Sequence, residues 1–215
     1  MTDAVRVKIC GVTNAAAIDS AVSAGAHYLG FNFYPPSPRY LTPERASALM
    51  RDVPAGVTKV ALVVDAQDDE LEALLDAVPA DVLQLHGHES PERVAEVRAR
   101  FGLPVIKVVG IADADDLAEL DRYLAVSDQI LVDTKPPKNA RLPGGNGLAF
   151  DWRLLQGRRW PCPWLLAGGL TPENVGAAIR LTGARQVDVS SGVESAPGVK
   201  DAQRMAAFIQ AAQAG

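Results

Sequence analysis

Val5-Arg6-Val7-Lys8-Ile9-Cys10-Gly11-Val12-Thr13 lies near the front of the chain and decides how the rest is read. Val5, Val7 and Ile9 are the β-branched residues a buried strand favours. The strand runs to a thiol, Gly11 then lets the backbone turn tightly, and Thr13 is placed to cap a following helix. An open, doubly wound sheet usually carries Gly-x-Gly-x-x-Gly at this junction. Gly11 stands alone here, so the pattern favours a closed barrel of parallel strands. In such a barrel the chemistry sits at the C-terminal tips of the strands. Cys10 is therefore a candidate catalytic residue, and the alternative is a small buried hydrophobe.

Outward from this stretch a strand-helix rhythm continues to the end. The spacing predicts further strands at residues 27–33, 59–64, 82–86, 105–109, 129–132, 164–167 and 186–189. A helix over 14–24 shows Ile18, Ala21 and Val22 on one face and stops at Gly25. Three helices share one start signal, Thr42-Pro43-Glu44, Ser90-Pro91-Glu92 and Thr171-Pro172-Glu173, with a hydroxyl cap, proline in the first turn and an acid behind it. Asp151 is placed to cap a short sixth helix. Eight strands alternating with eight helices give an α/β fold, a (β/α)8 TIM barrel, as a single domain over residues 1–215. The helix-free segment 134–149, rich in proline, glycine and basic residues, reads as a functional loop within that domain rather than a linker.

Composition narrows the function. A net charge of −5 leaves no electrostatic footprint for nucleic acid or an anionic membrane, so neither is an expected partner, while a small anionic substrate stays open. The two cysteines, Cys10 and Cys162, have no metal-ligand spacing, and Cys162 between two prolines reads as loop packing. No signal pattern and no apolar run of membrane-spanning length is present, so the expected location is cytoplasmic.

The residues just beyond the strand ends converge on one rim of a barrel. Asp133 closes the apolar strand Ile130-Leu131-Val132, as a solvated rim group or as a general acid whose pKa burial raises. Arg39 follows the stiff Tyr34-Pro35-Pro36-Ser37-Pro38 loop, as a salt-bridge partner or as a fork for a substrate carboxylate. His86-Gly87-His88 reads as one rim and one solvated histidine, since no third metal ligand accompanies them. The turns Gly168-Gly169 and Ser190-Ser191-Gly192 follow strands seven and eight, where such barrels often bind phosphate. The expected substrate-binding set is Arg39, His86, Gly168, Gly169, Ser190, Ser191 and Gly192. Asp188 alternates with Val187 and Val189, which places it inside the barrel as a structural acceptor.

These motifs, taken in order, resemble the phosphoribosylanthranilate isomerase family over essentially the whole chain. The resemblance rests on Lys8-Ile9-Cys10-Gly11-Val12-Thr13, on Gly30-Phe31-Asn32-Phe33 with Ser37-Pro38-Arg39, and on Leu83-Gln84-Leu85-His86-Gly87. It continues through Asp133, Gly144-Gly145 with Gly147, Phe150-Asp151-Trp152, Ala167-Gly168-Gly169-Leu170, and residues 187–194. Asn146 stands where the family more often has threonine, and Asp65 where asparagine is common. The resemblance implies an Amadori rearrangement of a phosphorylated sugar amine, with Asp133 protonating the ring oxygen, Cys10 removing the C2 proton and Arg39 holding the anthranilate carboxylate. It implies no cofactor and no metal, and a monomer or homodimer. The two roles pull against each other: burial raises both pKa values, which suits the acid and hinders the base. Strand alternation points Lys8 away from Ile9, and along with Cys10 only if Gly11 bends the chain, so Lys8 is not expected to help.

Overall fold

The computed structural model describes residues 4–135, 143–145, 147 and 149–215. Eight parallel strands close into a barrel in chain order: β1 (Arg6–Cys10), β2 (Tyr28–Asn32), β3 (Thr58–Val63), β4 (Val82–Leu85), β5 (Val105–Ile111), β6 (Gln129–Thr134), β7 (Trp164–Leu166) and β8 (Gln186–Val189). The register that closes the ring sets Lys8 of β1 beside Asp188 of β8. On the other side of β1, Cys10 lies beside Gly30 of β2.

The helices are α1 (Ala15–Ala24), α2 (Pro43–Arg51), α3 (Asp68–Ala77), α4 (Pro91–Phe101), α5 (Asp116–Asp121), α6 (Val175–Thr182) and α7 (Ala202–Gln213). Strand alternation separates two apolar cores. Outward-facing residues such as Val7, Ile9, Leu29 and Val187 pack against the helices, whose buried faces include Ile18, Met50, Val94 and Phe208. Inward-facing residues, among them Tyr28, Val60, Val82, Ile106, Leu131 and Leu165, fill the barrel as a separate cluster. This filled floor leaves the C-terminal rim as the place where polar side chains meet a cavity.

Four local expectations change. Asn14, not Thr13, caps α1: its Oδ1 accepts from the Ala17 N–H at 2.9 Å. The sixth helical position holds only a 3-10 helix, Trp152–Leu155, capped as expected by Asp151, so the eight expected α-helices are seven among the described residues. Thr42 and Ser90 start α2 and α4 with their capping side chains, but Thr171-Pro172-Glu173 is a turn and α6 starts at Val175. The reason is Asn174, which accepts from the Thr171 N–H at 2.8 Å and donates to the Gly169 carbonyl at 2.9 Å, holding the first turn in the loop. Finally, a small antiparallel hairpin, β9 (Glu194–Ala196) and β10 (Val199–Lys200), follows β8 and was not foreseen. Residues 136–142, Asn146 and Leu148 of the expected 134–149 loop lie outside the described residues. Among the described residues no helix is long and apolar enough to cross a membrane.

Candidate active site

One cavity at the C-terminal rim is lined by every residue singled out beyond the strand ends: Cys10, Arg39, His86, Asp133, Gly168, Gly169, Ser190, Ser191 and Gly192. Asn32 and Leu170, quoted above only as motif members, and Thr134 also line it. The two imidazoles of His86-Gly87-His88 part company. His86 turns into the cavity, while the His88 side chain is 95% exposed and sits 3.2 Å from the Asp65 carboxylate.

Asp133 is the last inward-facing residue of β6, and its Oδ1 accepts the Thr134 N–H at 2.7 Å. Gly144 lies against it, so closely that a β-carbon there would stand 2.8 Å from Oδ2 and 2.6 Å from His86 Nε2. Burial pushes the carboxyl up to about 7, with Asp188 adding to the rise and the Thr134 hydrogen bond and Lys8 opposing it. His86 Nε2 is 3.7 Å from Asp133 Oδ2. Burial, then Lys107 and Lys8, pull the imidazole down to about 3, so it faces the cavity as a neutral ring.

Cys10 is 6% exposed. Burial pushes its thiol up, and Lys8 is the largest opposing influence. This corrects the reading of Lys8 from sequence. Residues two apart on a strand share a face, and Lys8 lies inside the barrel with Cys10, wholly buried. Its Nζ donates to Asp188 Oδ1 at 2.8 Å.

Arg39 is a buried member of an ionic network rather than a surface salt-bridge partner. Its Nε and Nη2 donate to Glu194 Oε1 and Oε2 at 2.7 and 2.8 Å, a bidentate fork. The third nitrogen, Nη1, faces Gly145, where a β-carbon would stand 2.7 Å from it. Lys200 joins the same carboxylate at 2.6 Å and donates to the Ser190 carbonyl at 3.1 Å. The network therefore ties Arg39 to the turn after β8. Glu194 and Lys200 escaped sequence reasoning because their partners lie far off in the chain or within the unforeseen hairpin.

The two glycine turns follow adjacent strands and lie side by side on the rim: a β-carbon at Gly192 would run into the Leu170 carbonyl oxygen. Gly168 and Gly169 have φ of 82° and 64°, the left-handed region in which a β-carbon is strained. A β-carbon at Gly168 would also stand 2.8 Å from the Thr134 backbone nitrogen. After β8, Ser191–Val193 forms a single 3-10 turn at the cavity wall.

A closed (β/α)8 barrel with acid, thiol, arginine and two glycine turns gathered at one rim defines a barrel enzyme acting on a small polar substrate. The family model for N-(5'-phosphoribosyl)anthranilate isomerase matches residues 7–211. An N-(5'-phosphoribosyl)anthranilate isomerase of Cereibacter sphaeroides is 62% identical over 209 residues, covering 97% of this chain and 99% of that protein. One of Paracoccus denitrificans is 63% identical over 211 residues, covering 98% of each. Among solved structures, the phosphoribosyl anthranilate isomerase of Thermotoga maritima superposes with a TM-score of 0.88 at 37% identity, covering 98% of this chain and all of that one. A phosphoribosyl anthranilate isomerase in complex with reduced 1-(o-carboxyphenylamino)-1-deoxyribulose 5-phosphate gives 0.84 at 35% identity, again over 98% of this chain and all of that one. The chain belongs to the N-(5'-phosphoribosyl)anthranilate isomerase family, enzymes of tryptophan biosynthesis.

Proposed function

We propose that Asp133 and Cys10 carry the two proton transfers of the family's reaction, the Amadori rearrangement of N-(5'-phosphoribosyl)anthranilate to its 1-deoxyribulose 5-phosphate isomer. One observation supports this most: a buried carboxyl pushed up to about 7 lines the same cavity as a buried thiol. An ordinary aspartate is ionised at neutral pH and has no proton to give. Asp133 retains a substantial protonated fraction there.

Asp133 gives its proton to the furanose ring oxygen. The bond from that oxygen to C1 breaks, and the aryl nitrogen lone pair forms C1=N⁺. The cationic imine acidifies C2–H, and the Cys10 thiolate takes that proton. The electrons of the C–H bond form C1=C2 and neutralise the nitrogen. The enol then loses its O–H proton while C1 gains one, giving the ketone. One proton has left Asp133 and one has arrived on Cys10, so exchange with solvent resets the site. Electrons move only within the substrate, so the chemistry calls for no cofactor.

Arg39 Nη1, on the side away from Glu194, takes the anthranilate carboxylate. The turns at Gly168-Gly169 and Ser190-Ser191-Gly192 take the phosphate through backbone N–H groups. His86, neutral in this setting, offers the substrate a hydrogen bond and no charge. The single barrel domain over residues 1–215 suffices for activity, as a monomer or homodimer in the cytoplasm.

The test follows anthranilate fluorescence as purified protein is added to substrate. Wild type should consume the signal, and Asp133→Asn should bind substrate tightly without turnover, because an amide cannot deliver the proton. Full turnover by Asp133→Asn would show that another group opens the ring.

A further inference from the structure

We infer that Lys8 is a positioning residue for the base: its ammonium, fixed by Asp188, lies beside the Cys10 sulfur inside the barrel and favours its ionised form when the C2 proton is taken. The inference rests on the reading of Cys10 as the base and adds the group that makes that role workable.

The geometry carries it. Lys8 has no exposed surface, and a buried ammonium is retained only beside compensating charge. Asp188, its register partner across the seam between β1 and β8, provides one contact at 2.8 Å. The second neighbour of the ammonium is the thiol, two residues further along β1 and on the same inward face. Gly30 makes this approach possible. A β-carbon there would stand 2.9 Å from Cys10 Sγ and 3.2 Å from Lys8 Nζ, so both atoms rest on the same patch of bare backbone.

The other charged groups around the thiol do not do this work. Asp188 of β8 opposes the thiolate, and Lys200 of β10 favours it less than Lys8 does. Lys200 is committed to Glu194 at 2.6 Å. Around the same cavity, Asp133 at the end of β6 must be neutral to act, His86 after β4 is neutral, and Arg39 after β2 is locked to Glu194. Lys8 is the cation that shares the Gly30 patch with the sulfur.

The experiment titrates the thiol directly by ultraviolet thiolate absorbance in a Cys162→Ser background, with Cys10→Ser as the blank. Lys8→Met should raise the Cys10 titration by one pH unit or more, and Lys8→Arg should restore much of it. kcat should fall about tenfold for each unit the thiol rises, with KM little changed and the pH optimum moved upward. Lys8→Met strands Asp188 and can fail to fold, so Lys8→Met/Asp188→Asn, which removes both charges, is the second variant; its thiol should also titrate above wild type. A Cys10 titration unmoved in the folded Lys8 variants overturns the inference. Full activity in Cys10→Ala would instead remove the reading of Cys10 as base, a separate outcome that leaves the titration result standing.

Discussion

Replacing the acid Asp133 by asparagine should make the protein more stable, and the gain should depend on pH. The native carboxyl sits at about 7 against an ordinary 3.8, so the folded state prefers the protonated form. Below the ordinary value Asp133 is protonated folded or unfolded, and it adds no penalty. As pH rises from there, the unfolded chain ionises while the folded chain resists, and stability is lost until pH passes about 7. At ~1.4 kcal/mol per pH unit the loss reaches about 4 kcal/mol. Asparagine has no charge to bury and keeps an oxygen for the Thr134 N–H. Asp133→Asn should therefore match wild type near pH 4 and exceed it by up to about 4 kcal/mol at pH 8, or roughly 8–16 °C in Tm for a chain of this size. Thermal unfolding of both proteins across this pH range is the assay. A stability difference that stays constant with pH would refute a raised Asp133 pKa, and with it the physical basis of the acid role.

Three further outcomes follow from the same geometry. Arg39→Ala should raise KM by about ten- to a hundredfold, the worth of one charge-assisted pair, with kcat less affected; steady-state kinetics checks it, and an unmoved KM places the carboxylate elsewhere. Glu194→Gln should lower Tm, because it leaves the buried Arg39 and Lys200 cations facing one another without their shared carboxylate; removing one partner of a buried pair typically costs about 3–5 kcal/mol, and a melting point equal to wild type would show that the network carries little. Inorganic phosphate should raise the Tm of wild type by simple linkage and of Gly169→Val much less, since φ of 64° does not suit valine and the turn must shift; equal protection of both would contradict the phosphate site.

The barrel was legible because its signals are local. β-branched strands, hydroxyl-Pro-acid helix starts and a lone Gly11 each act over a few residues, and their order leaves few topologies. Where a second local signal competed it failed: Thr171-Pro172-Glu173 has the sequence of a helix start, but the neighbouring Asn174 bonds back to the Thr171 N–H and the Gly169 carbonyl and delays the helix. The rim residues were legible for the same reason, as strand ends are readable and a barrel brings them together. Their partners were not. Glu194 grips Arg39 from 155 positions away, and nothing around Arg39 announces it. Lys8 was a different matter, since alternation alone places residues 8 and 10 on one face and Asp188 inside the barrel; what the sequence could not show is the register of β1 and β8 that pairs Asp188 with Lys8 and makes a buried ammonium tenable. The conflict between a protonated acid and an ionised thiol could be stated from residue types, but the charges that bear on it, Lys8 and Asp188, come together only in the interior of the barrel.

Whether the Cys10 sulfur removes the C2 proton is decided by the turnover number of Cys10→Ala. A methyl group fills part of the thiol's place and cannot accept a proton. Substrate binding, followed by anthranilate fluorescence, should stay close to wild type while kcat falls by about a hundred- to ten-thousandfold, the usual worth of a positioned general base. Binding and kcat both near wild type would contradict the account.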